Sequence, residues 1–112
     1  GLIVCQWAKD LGATVIATVG AESKFEMARE AGADHVLLHS AEDFVQQVRE
    51  LTQGRGVDVA YDSIGRDTFM KSIECLRPRG LMVAYGNASG KPEPLDVLAL
   101  SRHGSLFLTR PN

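Results

Sequence analysis

Five short runs of apolar and β-branched residues recur along the chain, beginning about every 21 to 24 residues, and a stretch with helical spacing separates each run from the next. Such alternation is typical of βαβ units, whose strands lie parallel in one sheet. The sequence therefore predicts an α/β fold, a Rossmann-like doubly wound parallel sheet. The predicted strands are residues 14–19, 35–38, 57–61, 81–85 and 105–109, and the first of them, TVIATV, is apolar enough to predict burial on both faces.

The stretches between the strands carry apolar residues three and four positions apart and end at glycine or proline. The predicted helices are residues 1–11, 23–31, 40–54, 67–76 and 95–100. Ser40 is the expected N-cap of the third helix, with Asp43 as its capping-box partner. A turn at Pro78, Arg79 and Gly80 is expected before the fourth strand. We expect Trp7 and Phe69 in the core, and Cys5 and Cys75 as small buried hydrophobic residues without a redox role.

Composition excludes several classes of protein. The 112 residues include no apolar run near the ~20 that a membrane helix needs, and 11 Gly with 4 Pro are too few for a fibrous or low-complexity chain. The 12 basic and 14 acidic residues form no basic run, which argues against a dedicated nucleic-acid surface. Two cysteines and three histidines predict neither a disulfide framework nor a zinc cluster. A cytoplasmic location is the default expectation.

Gly1 is the first residue of the first predicted helix, with no initiator Met before it. In a dinucleotide-binding sheet, a strand and a glycine fingerprint lie before that helix, and Gly1 would be the last glycine of the fingerprint. A lone glycine can equally begin any helix. We expect an excerpt that lacks its first strand and most of the fingerprint. In the order 3-2-1-4-5-6 that strand is central, and its absence would leave strands 14–19 and 57–61 with facing, unpaired backbone groups, so residues 1–112 expressed alone are expected to be unstable, aggregated or strand-swapped.

The end of strand 14–19 bears on the choice of cofactor. NAD-specific sheets carry an Asp or Glu there that accepts a hydrogen bond from the ribose 2′-hydroxyl, whereas NADP sites omit it and place a cation nearby. Here Gly20 stands where the acid would be, and Ser23 and Lys24 follow. The pattern favours NADP(H), although a lysine in a first helical turn is more often a solvated charge than a ligand.

Two further positions admit more than one interpretation. His39 follows a predicted strand, where a lone histidine is usually a polar loop residue, yet its imidazole could stack on adenine or donate a hydrogen bond to a 2′-phosphate. Asp62 and Ser63 follow another strand at the edge where open α/β sheets bind ligands. An alternative role for the pair is to cap the next helix. We place Ser63 near the cofactor.

Four stretches of the sequence resemble one known family: GLIVCQWAKDLGATVIATVG, GVDVAYDSIGRDTF, CLRPRGLMVAYGNASG and GSLFLTRP. They resemble the cofactor domain of the zinc-free, NADPH-dependent quinone oxidoreductases (zeta-crystallin-like) of the medium-chain dehydrogenase/reductase superfamily, and the resemblance runs from end to end. It implies that Gly1 approaches the cofactor phosphates and that Gly20, Ser23, Lys24 and His39 contact the 2′-phosphate. It also implies nicotinamide-side positions at Tyr85, Gly86, Asn87, Ala88, Leu108 and Thr109.

The function that this resemblance implies is metal-free hydride transfer from NADPH to a quinone, in a homodimer joined through the edge strand 105–109. A separate GroES-like catalytic domain would form the acceptor pocket, so no catalytic residue is assigned to this chain. Two alternatives stay open. One is an enoyl or alkenal reductase of the same superfamily, and the other is a nucleotide-binding structural relative without turnover.

Overall fold

The computed structural model describes residues 2–111, and Gly1 and Asn112 lie outside them. The chain forms two compact units, Gly1–Phe44 and Val45–Asn112, which are described one at a time. Their helices and parallel strands confirm the predicted α/β class. None of the helices among the described residues has the length and apolar character needed to cross a membrane.

The first unit holds a pair of parallel strands with helices before and between them. Its elements are α1 (Leu2–Asp10), β1 (Ile16–Val19), a short 3-10 helix (Glu22–Lys24), α2 (Phe25–Glu30) and β2 (His35–Leu38). The strands pair in register from Ile16 with His35 to Val19 with Leu38. A small core of Val15, Ala28 and Ala33 lies under them. Both strands therefore end at the same edge of this unit.

Two expectations for this unit are wrong. Trp7 is 67% exposed within the described residues, because α1 contacts the core through Cys5 and Ala8, and Trp7 lies about 200° around the helix from Cys5. Strand β1 is not buried on both faces, since its residues range from half-buried to exposed. The apolar pattern correctly predicts a helix and a strand here. No other described residues of the first unit cover the Trp7 face of α1 or bury both faces of β1.

The second unit is a three-stranded parallel sheet with helical crossovers. It contains β3 (Val57–Asp62), α4 (Phe69–Glu74), β4 (Leu76–Ala84), α5 (Val97–Arg102) and β5 (Phe107–Thr109), while α3 (Phe44–Leu51) begins at the boundary of the two units. The strand order is β3-β4-β5, so β5 is an edge strand of this sheet, as expected. Phe69, Ile73, Leu76, Met82 and Leu106 form its core, which confirms Phe69 as a core residue.

Strand β4 begins five residues before the predicted start at 81, which corrects the expected turn at Pro78, Arg79 and Gly80. Leu76 already pairs with Val57, and the next pair joins Leu81 to Val59, so residues 77–80 form an irregular insertion within the strand. Arg79 takes a left-handed φ of 61° there. The Pro and Gly mark this irregularity but do not precede the strand, because β4 pairs in parallel with β3 on both sides of it.

Other element ends differ by a few residues. Helix α3 begins at Phe44, so Ser40 is not its N-cap, and α5 spans Val97–Arg102 with Asp96 as N-cap, its carboxylate accepting the Leu98 N–H at 3.0 Å. Cys75 is buried, and this burial raises the pKa of its thiol to about 11, consistent with a residue that packs and does not react. Cys5 is half-buried, and burial likewise raises the pKa of its thiol.

Candidate functional site

The carboxyl edge of the first unit brings together two of the predicted positions. The Nε2 of His39 lies 3.4 Å from the point that a Cβ on Gly20 would occupy, so the imidazole rests against the glycine backbone. The His39 N–H donates to the Val19 carbonyl at 3.1 Å, which extends the strand pairing to this residue. Gly20 is exposed and His39 is half-buried. This edge thus offers a ring nitrogen beside an open backbone segment.

Ser23 and Lys24 follow Gly20 in the short 3-10 helix, and both are exposed. The Lys24 N–H donates to the Ala21 carbonyl at 3.0 Å, which closes the turn after β1. Among residues 2–111, no carboxylate forms an ion pair with the Lys24 ammonium, although the exposed Glu22 lies in the same turn. Lys24 also borders a mainly apolar cavity of about 180 Å³. The edge therefore has an uncommitted cation and an imidazole, which fit a phosphate group.

In the second unit, the corresponding edge is built around Asp62, the last residue of β3. Asp62 is 4% exposed, and its carboxylate accepts hydrogen bonds from two backbone N–H groups of the following turn and from two hydroxyls, one at the N-cap of α4 and one within that helix. The donors are Ile64 N (2.8 Å), Gly65 N (2.9 Å), Thr68 Oγ1 (2.7 Å) and Ser72 Oγ (2.8 Å). Asp62 therefore organises the turn and is not available to a ligand.

Residues 85–90, which hold the predicted nicotinamide-side loop, lie along this turn. Three carbonyls of the turn accept N–H groups of the loop, and one loop carbonyl accepts from the turn. The bonds are Tyr85 N to Asp62 O (2.9 Å), Ala88 N to Ser63 O (3.0 Å), Ser89 N to Ile64 O (2.7 Å) and Arg66 N to Gly90 O (3.0 Å). The structure thus brings together Ser63 of the turn and Tyr85, Gly86 and Ala88 of the loop, at one edge of the second unit.

Close backbone approach explains the glycines of these two segments. A Cβ on Gly86 would lie 2.7 Å from the Ser63 carbonyl oxygen, and one on Gly65 would lie 2.5 Å from the Gly90 carbonyl oxygen. Gly65 also has a φ of +89°. Side chains at these positions would force the two segments apart.

The end of β5 supplies the remaining predicted positions. Leu108 and Thr109 pair with Met82 and Val83 of β4 and are exposed. The Arg110 guanidinium donates to the Ala84 carbonyl at 2.7 Å, which ties the chain after β5 to the end of β4. The ring of Tyr85 meets that of Tyr61 edge to face, with centroids 6.4 Å apart. Gly1 lies outside the described residues.

Two residues of the second edge have roles that the sequence did not predict. Ser89 accepts the Asp67 N–H at 3.0 Å and donates to the Ile64 carbonyl at 2.8 Å, so it bridges loop and turn. Asp62 does not cap the next helix as the sequence alternatively suggested, because its backbone donors lie in the turn before α4 and Thr68 is the N-cap. The signals were an Asp three residues before Gly65, typical of an Asx turn, and two hydroxyl residues four apart, at 68 and 72.

The part of the chain that the structure describes contains no group of three or more His, Cys, Asp or Glu side chains that could hold a metal ion. The described residues therefore do not fit a zinc site.

Comparison with known proteins agrees with the resemblance seen in the sequence. A family model described as zinc-binding dehydrogenase matches residues 1–108. The chain is 55% identical to 2-haloacrylate reductase of a Burkholderia species and 49% identical to quinone oxidoreductase 1 of Escherichia coli, covering 99% and 100% of this chain. It spans about a third (34%) of the length of each of these relatives.

Solved structures give the same result. The crystal structure of the E. coli quinone oxidoreductase complexed with NADPH matches with a TM-score of 0.94 over 100% of this chain and 34% of that one. The crystal structure of 2-haloacrylate reductase matches with a TM-score of 0.96 over 100% of this chain and 35% of that one. The chain therefore belongs to the zinc-binding dehydrogenase family, as a quinone oxidoreductase-like member of the medium-chain dehydrogenase/reductase superfamily.

Proposed function

We propose that this chain is the NADP(H)-binding part of an oxidoreductase that transfers hydride from NADPH to a quinone without a metal. The observation that carries the choice of cofactor is the edge of the first unit, where Gly20 offers no carboxylate and the Lys24 ammonium has no ion-pair partner among residues 2–111. The solved relative named quinone oxidoreductase, complexed with NADPH, supports the same assignment.

In this proposal, the first unit binds the adenosine 2′-phosphate. Lys24 supplies a charged donor, Ser23 a hydroxyl, and His39 an imidazole beside the Gly20 backbone. An Asp at position 20 would repel a phosphate, whereas glycine leaves room for it. Gly1 is assigned to the phosphates by the family resemblance.

The second unit binds the nicotinamide side of the cofactor. When bound, NADPH supplies the hydride, and the protein orients the ring that carries it. Ser63, Tyr85, Gly86, Asn87 and Ala88 form a backbone-rich surface for that purpose, and Leu108 and Thr109 end the neighbouring strand. Because the turn and loop hold each other through backbone hydrogen bonds, this surface is preformed, which reduces the ordering needed when the cofactor binds.

A separate GroES-like catalytic domain supplies the acceptor pocket in this proposal, so the chain itself contributes no catalytic residue.

A homodimer through the β5 edge belongs to the same proposal. Strand β5 is exposed along its length, with Phe107 62% exposed, and an apolar edge strand is stabilised by pairing with a second subunit. Sedimentation of the full-length protein should give a dimer at micromolar concentration, and a monomer would contradict this part. The expected cytoplasmic location stays a prediction.

A second candidate acceptor is an activated carbon–carbon double bond, because the relative at 55% identity is named 2-haloacrylate reductase. This candidate corresponds to the enoyl or alkenal reductase alternative and shares the cofactor site. The acceptor would be decided by the proposed catalytic domain.

The experiment that tests the proposal is a steady-state assay of the full-length protein with NADPH or NADH and with a benzoquinone, an enal or a 2-haloacrylate as acceptor. Quinone reduction that prefers NADPH is the expected result. Turnover with the unsaturated acceptors alone would favour the second candidate. Cofactor binding without turnover of any acceptor would favour the structural relative.

A further inference from the structure

The Asp62 carboxylate makes all of its hydrogen bonds within the protein, at the edge that we assign to the nicotinamide side. Each of its oxygens accepts two hydrogen bonds, one oxygen from backbone N–H groups and the other from hydroxyls. The four donors lie 2.7 to 2.9 Å away, on Ile64, Gly65, Thr68 and Ser72. An ionised carboxylate can accept all four, whereas an amide replaces one acceptor oxygen with a donor.

The turn that Asp62 shapes presents its carbonyls to the loop at 85–90. The carbonyls of Asp62, Ser63 and Ile64 each accept an N–H from that loop, at 2.7 to 3.0 Å. Ser89 adds a side-chain bridge from the loop to the Ile64 carbonyl. The positions of Tyr85, Gly86 and Ala88 therefore depend on where the turn carbonyls point, and these depend on the carboxylate.

We propose that Asp62 is a positioning residue for nicotinamide binding: its carboxylate holds the 62–65 turn, and the turn holds the loop that faces the nicotinamide end of the cofactor. This inference rests on the proposed function. Because its carboxylate bonds all lie within the protein, Asp62 makes no contact with the cofactor itself. Its loss should therefore weaken contacts at the nicotinamide end and leave those at the 2′-phosphate end intact.

The test compares two ligands in the full-length Asp62→Asn variant. NADPH carries both ends of the cofactor, and adenosine 2′,5′-bisphosphate carries the phosphate end alone. We expect the Kd for NADPH to rise about tenfold, since small displacements of an orienting group have large effects, and the Kd for the bisphosphate to stay within about twofold. Equal losses for both ligands, or no loss for either, would overturn the proposal.

The matched control is Asp58→Asn on the same strand. Asp58 is exposed and pairs with Arg55 and Arg77, with the Arg77 Nε 2.6 Å from its carboxylate. This change removes the same charge without touching the turn, and both dissociation constants should stay at the wild-type values. A loss of NADPH affinity equal to that of Asp62→Asn would count against the proposal.

A second variant covers the case in which Asp62→Asn does not fold. Ser72→Ala removes one hydroxyl donor from a half-buried helical position, and we expect the same selective loss at about two- to fivefold. An unchanged ratio of the two dissociation constants in Ser72→Ala would overturn the proposal.

Amide hydrogen exchange tests the positioning role of Asp62 separately from the proposed binding of NADPH. Exchange at Ala88 and Ser89 should accelerate in Asp62→Asn, and unchanged exchange would overturn the positioning role even if NADPH binds as proposed. Wild-type protein that binds neither ligand would instead overturn the proposed function itself.

Discussion

His39 rests against Gly20, its Nε2 3.4 Å from where a Cβ would stand. Gly20 does not have a left-handed φ, and the contact with His39 is at an ordinary van der Waals distance. The backbone can therefore accept a side chain at this position without moving. This makes position 20 a suitable place to test the choice of cofactor.

Gly20→Asp should reverse the cofactor preference of the full-length enzyme. The new carboxylate would repel the 2′-phosphate and accept a hydrogen bond from the 2′-hydroxyl of NADH. We expect NADPH affinity to fall about tenfold or more and NADH affinity to hold or improve, measured by fluorescence titration. Gly20→Ala is the matched control for added size without charge, and it should keep the preference for NADPH over NADH. A parallel loss of both affinities in Gly20→Asp would contradict the assignment.

Lys24→Ala should weaken NADPH binding by about 1.5–3 kcal/mol, the range for hydrogen bonds to charged groups, and leave NADH binding nearly unchanged. Isothermal titration with both cofactors measures the difference. Lys9→Ala is the control, since Lys9 carries the same charge but pairs with Asp34, which directly precedes β2 at the opposite edge of the strand pair. Equal losses for NADPH and NADH in Lys24→Ala would refute the phosphate contact.

Gly65→Ala should destabilise the full-length protein more than Gly54→Ala does. The two glycines have similar left-handed φ values, +89° and +81°, so the conformational cost of alanine, roughly 1 kcal/mol, is nearly the same. A methyl group at 54 meets no atom within 4 Å, but at 65 it meets the Gly90 carbonyl oxygen at 2.5 Å. Overpacking should add about 1–3 kcal/mol at 65, measured by urea unfolding. Similar losses at both sites would show that the segments separate freely.

Asp34 should contribute to stability in a pH-dependent way. A hydrogen bond from the Lys9 ammonium, followed by one from the Val15 N–H, holds the pKa of Asp34 below its usual value. A carboxyl whose pKa is lower in the folded state stabilises the fold above its unfolded pKa of about 4, and this contribution disappears as pH falls through the folded value.

Urea unfolding of the full-length wild type should therefore show a free energy of unfolding that falls between about pH 6 and pH 2.5. The same fall should be smaller in Asp34→Asn. Asp10→Asn is the control, because the Asp10 carboxylate forms no ion pair among residues 2–111, and it should keep the wild-type slope. Identical acid slopes in wild type and Asp34→Asn would show that the contact with Lys9 adds nothing.

Sequence periodicity predicted the α-helices and strands of the two units apart from their exact ends, because hydrophobic spacing follows the geometry of each element, every three to four residues in a helix and every second residue in a strand. It failed at Trp7 because spacing shows that a helix has an apolar face but not what lies against it. It also failed at residues 77–80, where proline and glycine predicted a turn before the strand, whereas β4 keeps its direction and pairs with Val57 and Val59 on either side of an irregularity.

The candidate site was predicted in the same uneven way. The family resemblance implied that Gly20 and His39 belong to one phosphate site, and the structure brings the two residues together because the parallel strands β1 and β2 end at one edge. The tie between the 62–65 turn and the 85–90 loop was not predicted, because hydrogen bonds between backbone groups more than 20 residues apart leave no pattern in side-chain types. Ser89, whose hydroxyl bridges the two, shows no sequence periodicity that would reveal this role.

The reach of the Asp62 carboxylate also bears on the order of folding. Its four donors lie 2, 3, 6 and 10 residues along the chain, whereas Ser89 reaches back 25 residues to Ile64. Short loops close at lower entropic cost, so the turn can form before the loop arrives and can guide it into place. Φ-values near one for Ser72→Ala and near zero for Ser89→Ala would be the kinetic signature of that order, and the reverse ranking would exclude it.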